Sequence, residues 1–166
     1  MNADADLTAA AERDRSSYGQ APAPASVAQD PVEIRVFFPG GKRVDADLGS
    51  RVIRTDQPTA KGGGGTAPGP FDLFLSSLAT CAGFYVLSFC QTRGIPTDGI
   101  ELVQHHQFDP VTHRLSHVEI DLELPPTFPE KLRSAVVQAA AGCKVKKLLM
   151  APPEVVVKAR GNSLTA

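Results

Sequence analysis

The stretch PFDLFLSSLATCAGFYVLSFCQTRG, residues 70–94, is the most hydrophobic helix-length run in the chain, and it decides the fold. Pro70 suits a first helical turn, where its missing N–H costs nothing, and Asp72 complements the positive end of the helix dipole. The glycine and the proline that follow Arg93 make a stop signal. The pattern therefore predicts a helix from Pro70 to Arg93.

This predicted helix is apolar on nearly every face. At about 100° per residue, the face of Cys81 also carries Phe74, Leu78, Phe84 and Tyr85, while other faces carry Leu73, Leu87 and Phe89. A helix of this kind has to be buried, either in a protein core or in a dimer interface. Its length could almost span a bilayer, but its aspartate, arginine, glutamine, serine and threonine residues favour a soluble protein without a membrane partner.

The chain has three cysteines, Cys81, Cys90 and Cys143. On one helix, Cys81 and Cys90 differ by about 13 Å of rise and about 180° of rotation, so they cannot form a disulfide. Cys143 is the only possible partner for either one, and Cys81 is the better candidate because small residues beside it would let another element approach. The alternative is three reduced, inert thiols, which are common in protein cores.

Composition narrows the class of protein. The 166 residues fit one domain, and a hydrophobic content of 42% is enough for a core. A net charge of −1 argues against nucleic acid or an anionic membrane as the main partner. The odd cysteine count and the lack of a leader pattern predict a cytoplasmic protein. Residues 1–30 predict a disordered tail, or less favourably a short helix in residues 5–15, ahead of an ordered domain over residues 31–166.

Alternating segments predict two antiparallel sheets. VEIRVFF, KRVDADL and SRVIRTD, separated by glycine-containing turns, predict a three-stranded meander before the long helix. GIELVQHHQF and HRLSHVEIDLEL predict a hairpin after it, with one face exposed to water. Between the meander and the helix, PTAKGGGGTAPG lacks the ending of a phosphate-binding loop, so we expect a flexible connection or a mobile lid over Cys81.

The C-terminal part of the chain predicts helix followed by strand. Thr127 and Glu130 have capping-box spacing, which predicts a helix over PEKLRSAVVQAAAGC. Gly142 is expected to interrupt it, with a second short helix in KVKKLL. The unbroken valine run of EVVVKARG predicts a last strand inside a sheet. The predicted order is βββ-α-ββ-α-(α)-β, an α+β fold.

The four histidines do not predict a metal site. If Phe108 pairs with His113 in the hairpin, then His106, His113 and His117 share one face of the sheet. Their spacing along the strands would nevertheless place them about 7 to 14 Å apart, too far for shared coordination.

The order of elements, the glycine-rich approach to a buried helix with a central cysteine, and a second cysteine within GCKVKKLL together resemble the OsmC/Ohr family of thiol-dependent peroxidases. The resemblance covers about residues 32–160 and is most specific in GPFDLFLSSLATC and AAAGCKVKKLL. It implies an intertwined homodimer with antiparallel sheets around long buried central helices. It also implies that Cys81 attacks the peroxide, that Cys143 resolves the product as a disulfide, and that an external dithiol serves as reductant without a bound cofactor.

The chain departs from the best-characterised branch of that family at one position. There, a glutamate ten residues before the first cysteine binds an arginine that activates the thiol; here Phe71 occupies that position, and Asp72 is rotated by about 100°. The chain therefore resembles the broad OsmC-like branch. The activating arginine implied by the resemblance comes from the early strands, where Arg43, Arg51 and Arg54 are candidates and Arg54 is our assignment.

The chemistry implied by the resemblance makes further demands. Burial raises the pKa of a thiol, so Cys81 needs a nearby cation to react at neutral pH. Lysines 144, 146 and 147 could favour the Cys143 thiolate or simply form a solvated helix face. Phe74, Phe84 and Tyr85 could line an apolar pocket that selects organic hydroperoxides over hydrogen peroxide, or they could be ordinary core. The other possible functions are a non-enzymatic dimer that binds a small apolar ligand or senses redox state, and a structural interaction module.

Overall fold

The N-terminal sheet is a three-stranded antiparallel meander in this computed structural model, which describes residues 33–159. Strands β1 (Arg35–Gly40), β2 (Arg43–Asp47) and β3 (Val52–Ile53) lie in the order β1-β2-β3, as predicted. Every residue of β1 is exposed, and no strand of the meander packs broadly on a helix. The predicted N-terminal tail, residues 1–30, lies outside the described residues.

A buried aspartate organises the glycine-rich connection between the meander and the long helix. The Asp56 carboxylate accepts hydrogen bonds from the backbone N–H groups of Gln57, Gly64 and Thr66, at 2.8, 3.1 and 3.1 Å, and from the Thr66 hydroxyl at 2.8 Å. A Cβ atom on Gly63 would lie 1.9 Å from the carbonyl oxygen of Gln57, so only glycine fits there. The segment is a clamped loop rather than a free lid in this conformation.

Helix α1 (Pro70–Gln91) is the centre of the fold. The Asp72 carboxylate accepts a hydrogen bond from the Gly69 N–H at 2.9 Å, which satisfies a free donor at the helix start. One stripe of the helix is buried within the chain: Leu75, Leu78, Ala82, Val86, Phe89 and Cys90. The prediction of burial on all faces therefore holds for one face only, because Phe71, Phe84 and Leu87 are exposed in the single chain.

The length and composition of α1 also meet the criteria for a membrane span. Its mean hydropathy reaches 1.8 over a window of which 33% is buried inside the chain. The core helix of a soluble protein, which is mostly buried, meets the same criteria of length and composition. The test alone is weak evidence for a membrane protein.

The second sheet is a hairpin of β4 (Glu101–Phe108) and β5 (Leu115–Glu123). Its acidic face is exposed and its apolar face packs towards α1, as predicted. The pairing considered above for the hairpin does not form: Phe108 pairs with Leu115 through a bulge, and His113 lies in the connecting loop with φ of 55°. Within residues 33–159, no group of three or more histidine, cysteine or acidic side chains could hold a metal ion.

Two helices follow the hairpin. A 3-10 turn, Glu130–Leu132, precedes α2 (Arg133–Ala141), and Gly142 separates α2 from the short helix α3 (Lys144–Met150). The interruption at Gly142 agrees with the prediction, but the capping box does not form. Glu130 instead pairs with Arg133, one turn along the chain, at 2.7 Å.

The predicted last strand is absent from the described part of the chain. Residues 152–159 have no regular structure, and Val155, Val156 and Val157 are exposed. A strand needs a neighbour to satisfy its backbone donors and acceptors. Residues 33–159 offer none at this position, so the strand predicted from the valine run does not form within them.

The buried side chains form two clusters at different levels of α1. One joins the C-terminal half of α1 to α2 and contains Val86, Phe89, Cys90, Phe128 and Val136. The other lies nearer the middle of α1 and contains Leu78, Ala82 and Cys143, with Cys81 packed against it. The fold thus assigns the three cysteines to two separate environments.

Candidate active site

The second cluster brings Cys81 and Cys143 together. Helix α1 supplies Cys81, which is half-buried, and the junction between α2 and α3 supplies Cys143, which is buried. The Cys143 thiol donates to the carbonyl oxygen of Leu78 at 3.8 Å, and its sulfur accepts from the Lys146 N–H at 3.5 Å. Cys81 packs against the cluster that contains Cys143, and both are free thiols.

Gly142 lies between α2 and α3, next to Tyr85 of α1. A Cβ atom at this position would lie 3.0 Å from the carbonyl oxygen of Ala139 and 3.7 Å from two ring carbons of Tyr85. The tight contact is therefore with the last turn of α2, and the distance to Tyr85 is an ordinary van der Waals contact. Cys143 itself occupies the N-cap position of α3.

The pKa values of the two thiols shift in opposite directions. Burial tends to raise the pKa of Cys81, but the hydrogen bond from Cys143, the N–H groups of Val145 and Lys144, and the charge of Lys144 lower it below the ordinary value. Burial raises the pKa of Cys143, and its interaction with Cys81 raises it further. Cys81 is therefore the thiol that ionises first, while Cys143 stays protonated and donates to the carbonyl oxygen of Leu78.

Cys90 has a different chemical environment. It lies in the cluster between α1 and α2, with an exposed fraction of 0%, and burial raises its pKa. The nearby charge of Arg93 opposes this shift without overcoming it. Cys90 is thus a buried, unreactive thiol, in keeping with the prediction that it does not pair with Cys81.

An apolar cavity of about 400 Å³ adjoins Cys143. It is lined by residues of α1, β5, α2 and α3: Leu78, Ala82, Val118, Ile120, Val137, Ala140, Ala141, Cys143, Lys146, Leu149 and Met150. Sequence reasoning did not identify the β5 residues, although the alternation that turns Val118 and Ile120 inwards was visible in the sequence. The cavity can hold a small apolar molecule beside the thiol pair, with one ammonium group at its wall.

The three aromatic residues predicted to bind substrate do not line this cavity. Phe84 is exposed at 63% and packs edge-on against Tyr85, with ring centroids 6.1 Å apart. Phe74 instead packs near Phe71, at 5.7 Å between centroids. A substrate contact for these three side chains stays a prediction.

Arg54 lies in a groove of about 560 Å³ between the β1–β2 turn and the glycine-rich loop, with Lys42 and Arg43. Arg43 pairs with Asp45 at 2.7 Å, which leaves its charge partly neutralised. Among residues 33–159, the charge of Lys144 is the smallest of the causes that lower the pKa of Cys81, and Arg54 is not one of them. The assigned role of Arg54 stays a prediction.

Comparison with known proteins adds to this geometry. A family model described as OsmC-like protein matches residues 62–158. A solved structure from Psychrobacter arcticus 273-4, named for osmotic stress induction and a detoxification response, is 27% identical. The match covers 74% of this chain and 90% of that one, with a TM-score of 0.57. No curated protein matches the sequence.

Two more distant structures share the fold. An OsmC-like protein from Mycoplasma pneumoniae is 14% identical over 75% of this chain and 91% of its own, with a TM-score of 0.58. An organic hydroperoxide resistance protein from Legionella pneumophila is 15% identical over 75% and 93%, with a TM-score of 0.51. Since the family match spans more than half of the sequence and includes both cysteines of the thiol pair, the chain belongs to the OsmC-like family.

Proposed function

We propose that this protein is a thiol-dependent peroxidase that reduces organic hydroperoxides in a cytoplasmic defence against oxidative stress. The observation that supports this most is the pairing of Cys81, whose pKa is lowered, with Cys143, whose pKa is raised. A nucleophilic thiolate beside a protonated second thiol is what a two-cysteine peroxidase requires. The name of the Psychrobacter relative, with its detoxification response, fits the same function.

In the first step the Cys81 thiolate attacks the distal oxygen of the hydroperoxide. The O–O bond breaks, an S–O bond forms, and the alkoxide leaves with a proton as an alcohol, so that sulfur is oxidised by two electrons to a sulfenic acid. Apolar residues around the pair suit an organic peroxide, and hydrogen peroxide is a smaller alternative substrate.

In the second step Cys143 displaces the sulfenic hydroxyl as water and forms the Cys81–Cys143 disulfide. One reason for the raised pKa of Cys143 is the negative charge of Cys81. That charge disappears when Cys81 becomes a sulfenic acid, so the oxidation itself makes Cys143 easier to ionise. An external dithiol then reduces the disulfide by exchange and restores both thiols.

The proposed active protein is a homodimer. Three surfaces of the single chain are apolar and uncovered: the exposed face of α1, the meander, and the valine segment after α3. A second copy would cover the face of α1 and give the valine segment a strand to pair with. The partner's meander would also be the source of an arginine for the peroxide, which is the role we propose for Arg54.

Intact mass spectrometry after one equivalent of cumene hydroperoxide tests the proposed reaction. We expect each chain to lose two hydrogen atoms as the disulfide forms, with no added oxygen in the product. Cys81→Ser should abolish this change and peroxide consumption, because it removes the nucleophile. Cys90→Ala is the matched control and should behave like the native protein. An unchanged mass of the native chain would contradict the peroxidase proposal.

The cavity beside Cys143 favours a second candidate, a dimer that binds a small apolar ligand without turnover or that responds to redox state. Saturable binding of a medium-chain fatty acid, measured by calorimetry, together with an unchanged mass after peroxide, would support it. Ala82→Phe, which fills the cavity from α1, should then abolish binding, whereas Ala79→Phe on the same helix lies outside the cavity lining and should not.

A further inference from the structure

Helix α3 is joined to the rest of the chain at its first turn by a single sulfur atom. Cys143 is the N-cap residue of α3, and its sulfur accepts a hydrogen bond from the Lys146 N–H at 3.5 Å. The same thiol donates to the carbonyl oxygen of Leu78 in α1 at 3.8 Å, and Cys143 is only 1% exposed. One buried thiol therefore both caps α3 and attaches it to α1.

Few other contacts fix α3 in place. None of its seven residues is buried, and Val145 is the one that packs against the cluster containing Cys143. Leu149 and Met150 border the cavity but are exposed at 45% and 79%. Within residues 33–159, the lysines of α3 form no salt bridge. Because a helix this short is not stable by itself in water, α3 depends on its capping sulfur and on Val145.

Formation of a disulfide changes what this sulfur can do. A disulfide sulfur carries no hydrogen, so Cys143 can no longer donate to the carbonyl oxygen of Leu78 once it is bonded to Cys81. The S–S bond is about 2.05 Å long, much shorter than any contact between two free thiols. Since Cys81 is part of the long helix α1, it is the Cys143 sulfur, at the start of the short helix, that has to move.

We propose that the Cys81–Cys143 disulfide uncaps α3 and releases it from α1, which makes this helix a redox-sensitive switch. The inference rests on the proposed function, because the peroxide reaction forms the disulfide. Lys146, Leu149 and Met150 of α3 are part of the cavity wall, so release of the helix opens the cavity and lets the alcohol product leave. Release also exposes the sulfur of Cys143 to the external dithiol. Reduction then restores the thiol and, with it, the cap.

Hydrogen exchange of the full chain, read by mass spectrometry on the peptide of residues 144–151, tests the inference. Diamide prepares the oxidised form without any peroxide: it takes up the two thiol hydrogens, and the S–S bond forms. Because one hydrogen bond corresponds to about two- to tenfold in an opening equilibrium, we expect this peptide to exchange at least about twofold faster in the disulfide form. A cross-link alone would restrict the chain and slow exchange, so the direction of the change is informative.

Two variants serve as matched controls. Cys143→Ser cannot form the disulfide, and a serine hydroxyl is a good N-cap, so diamide should leave the exchange of its α3 peptide unchanged. Cys90→Ala keeps both sulfurs of the thiol pair and should respond to diamide as the native protein does. The peptide of α2, Arg133–Ala141, is the internal reference and should exchange equally in both redox forms.

Equal or slower exchange of the α3 peptide in the disulfide form would overturn the inference. An equal rise in the α2 peptide would also overturn it, since the disulfide would then loosen the whole chain. If diamide forms no Cys81–Cys143 disulfide, both this inference and the proposed function fail. If diamide forms the disulfide and cumene hydroperoxide does not, the peroxidase proposal fails, and faster exchange of α3 in the diamide product still supports the switch.

Discussion

Cys81 and Cys143 carry the same side chain, and their pKa values move in opposite directions because of what surrounds each sulfur. Burial raises the pKa of both thiols. The pKa of Cys81 is lowered by its interaction with Cys143, by two backbone N–H groups and by the charge of Lys144. Backbone N–H groups also lower the pKa of Cys143, but the negative charge of Cys81 raises it. The proposed roles of nucleophile and resolving thiol therefore follow from position rather than from residue type.

A substitution at Cys143 tests this division of roles. Cys143→Ser should allow one fast oxidation of Cys81 but no turnover with a dithiol, because no second thiol is left to form the disulfide. Excess peroxide should then convert Cys81 to sulfinic or sulfonic acid, seen as added oxygen on the Cys81 peptide by mass spectrometry. The native chain should resist this over-oxidation. If steady-state turnover were unchanged in Cys143→Ser, the disulfide mechanism would have to be abandoned.

At the scale of elements, Asp56 connects the meander to the helix through the loop that it clamps. Its carboxylate accepts four hydrogen bonds, and those from Thr66 are the main cause of its lowered pKa. The ionised form is thus favoured in the folded protein. This contribution is complete above the unfolded value, near 3.8, and is lost as the pH falls through the lower folded value.

The pH dependence of unfolding tests the clamp. We expect the melting temperature of the native protein to fall as the pH is lowered below about 4, in part because Asp56 becomes protonated. Asp56→Asn should lower the melting temperature at neutral pH and flatten this dependence. Asp98→Asn, at an exposed position, is the control and should leave both unchanged. Parallel profiles for the native protein and Asp56→Asn, measured by circular dichroism, would argue against the clamp.

The elements also show which parts of the fold could be predicted from the sequence. Helix α1, the meander and the hairpin were predictable because their signals are local: a proline start, glycine turns and alternation along β5. The bulge at Phe108 and the left-handed loop residue His113 displaced the predicted pairing by more than one residue, since a bulge leaves little trace in the sequence. The capping box failed because Glu130 pairs with Arg133 instead.

The site was predictable to a similar depth. The two cysteines that the structure brings together could be named from their contexts, but the cavity beside Cys143 depends on how α3 packs against α1. The spacing of residues along the sequence does not show how distant segments pack against each other. For the same reason, the valine segment predicted a strand whose partner is missing from the single chain.

For the whole molecule, the apolar surfaces that are exposed in the single chain allow the proposed dimer to be tested quantitatively. Phe84 lies on the open face of α1, and an aromatic residue at the centre of an interface typically contributes more than about 1 kcal/mol to binding. Phe84→Asp should therefore raise the dimer dissociation constant by at least about fivefold. Light scattering during size-exclusion chromatography, over a dilution series, measures it.

Val111→Asp is the matched control for this experiment. Val111 is exposed at 84% in the loop between β4 and β5, so the same change in charge should leave the dimer intact. A stable folded monomer of the native protein at micromolar concentration would refute the dimer and, with it, the proposed supply of Arg54 from a partner.

Cys90 can be used to measure the local opening of the folded protein. A thiol reagent can reach this wholly buried sulfur only when the cluster between α1 and α2 separates, so its rate of labelling reports the equilibrium between closed and open forms. Cys81, about 13 Å away on the same helix, reacts without that opening. When labelling is followed separately on the peptide of each cysteine, one time course thus gives the reactivity of Cys81 and the local stability of the cluster around Cys90.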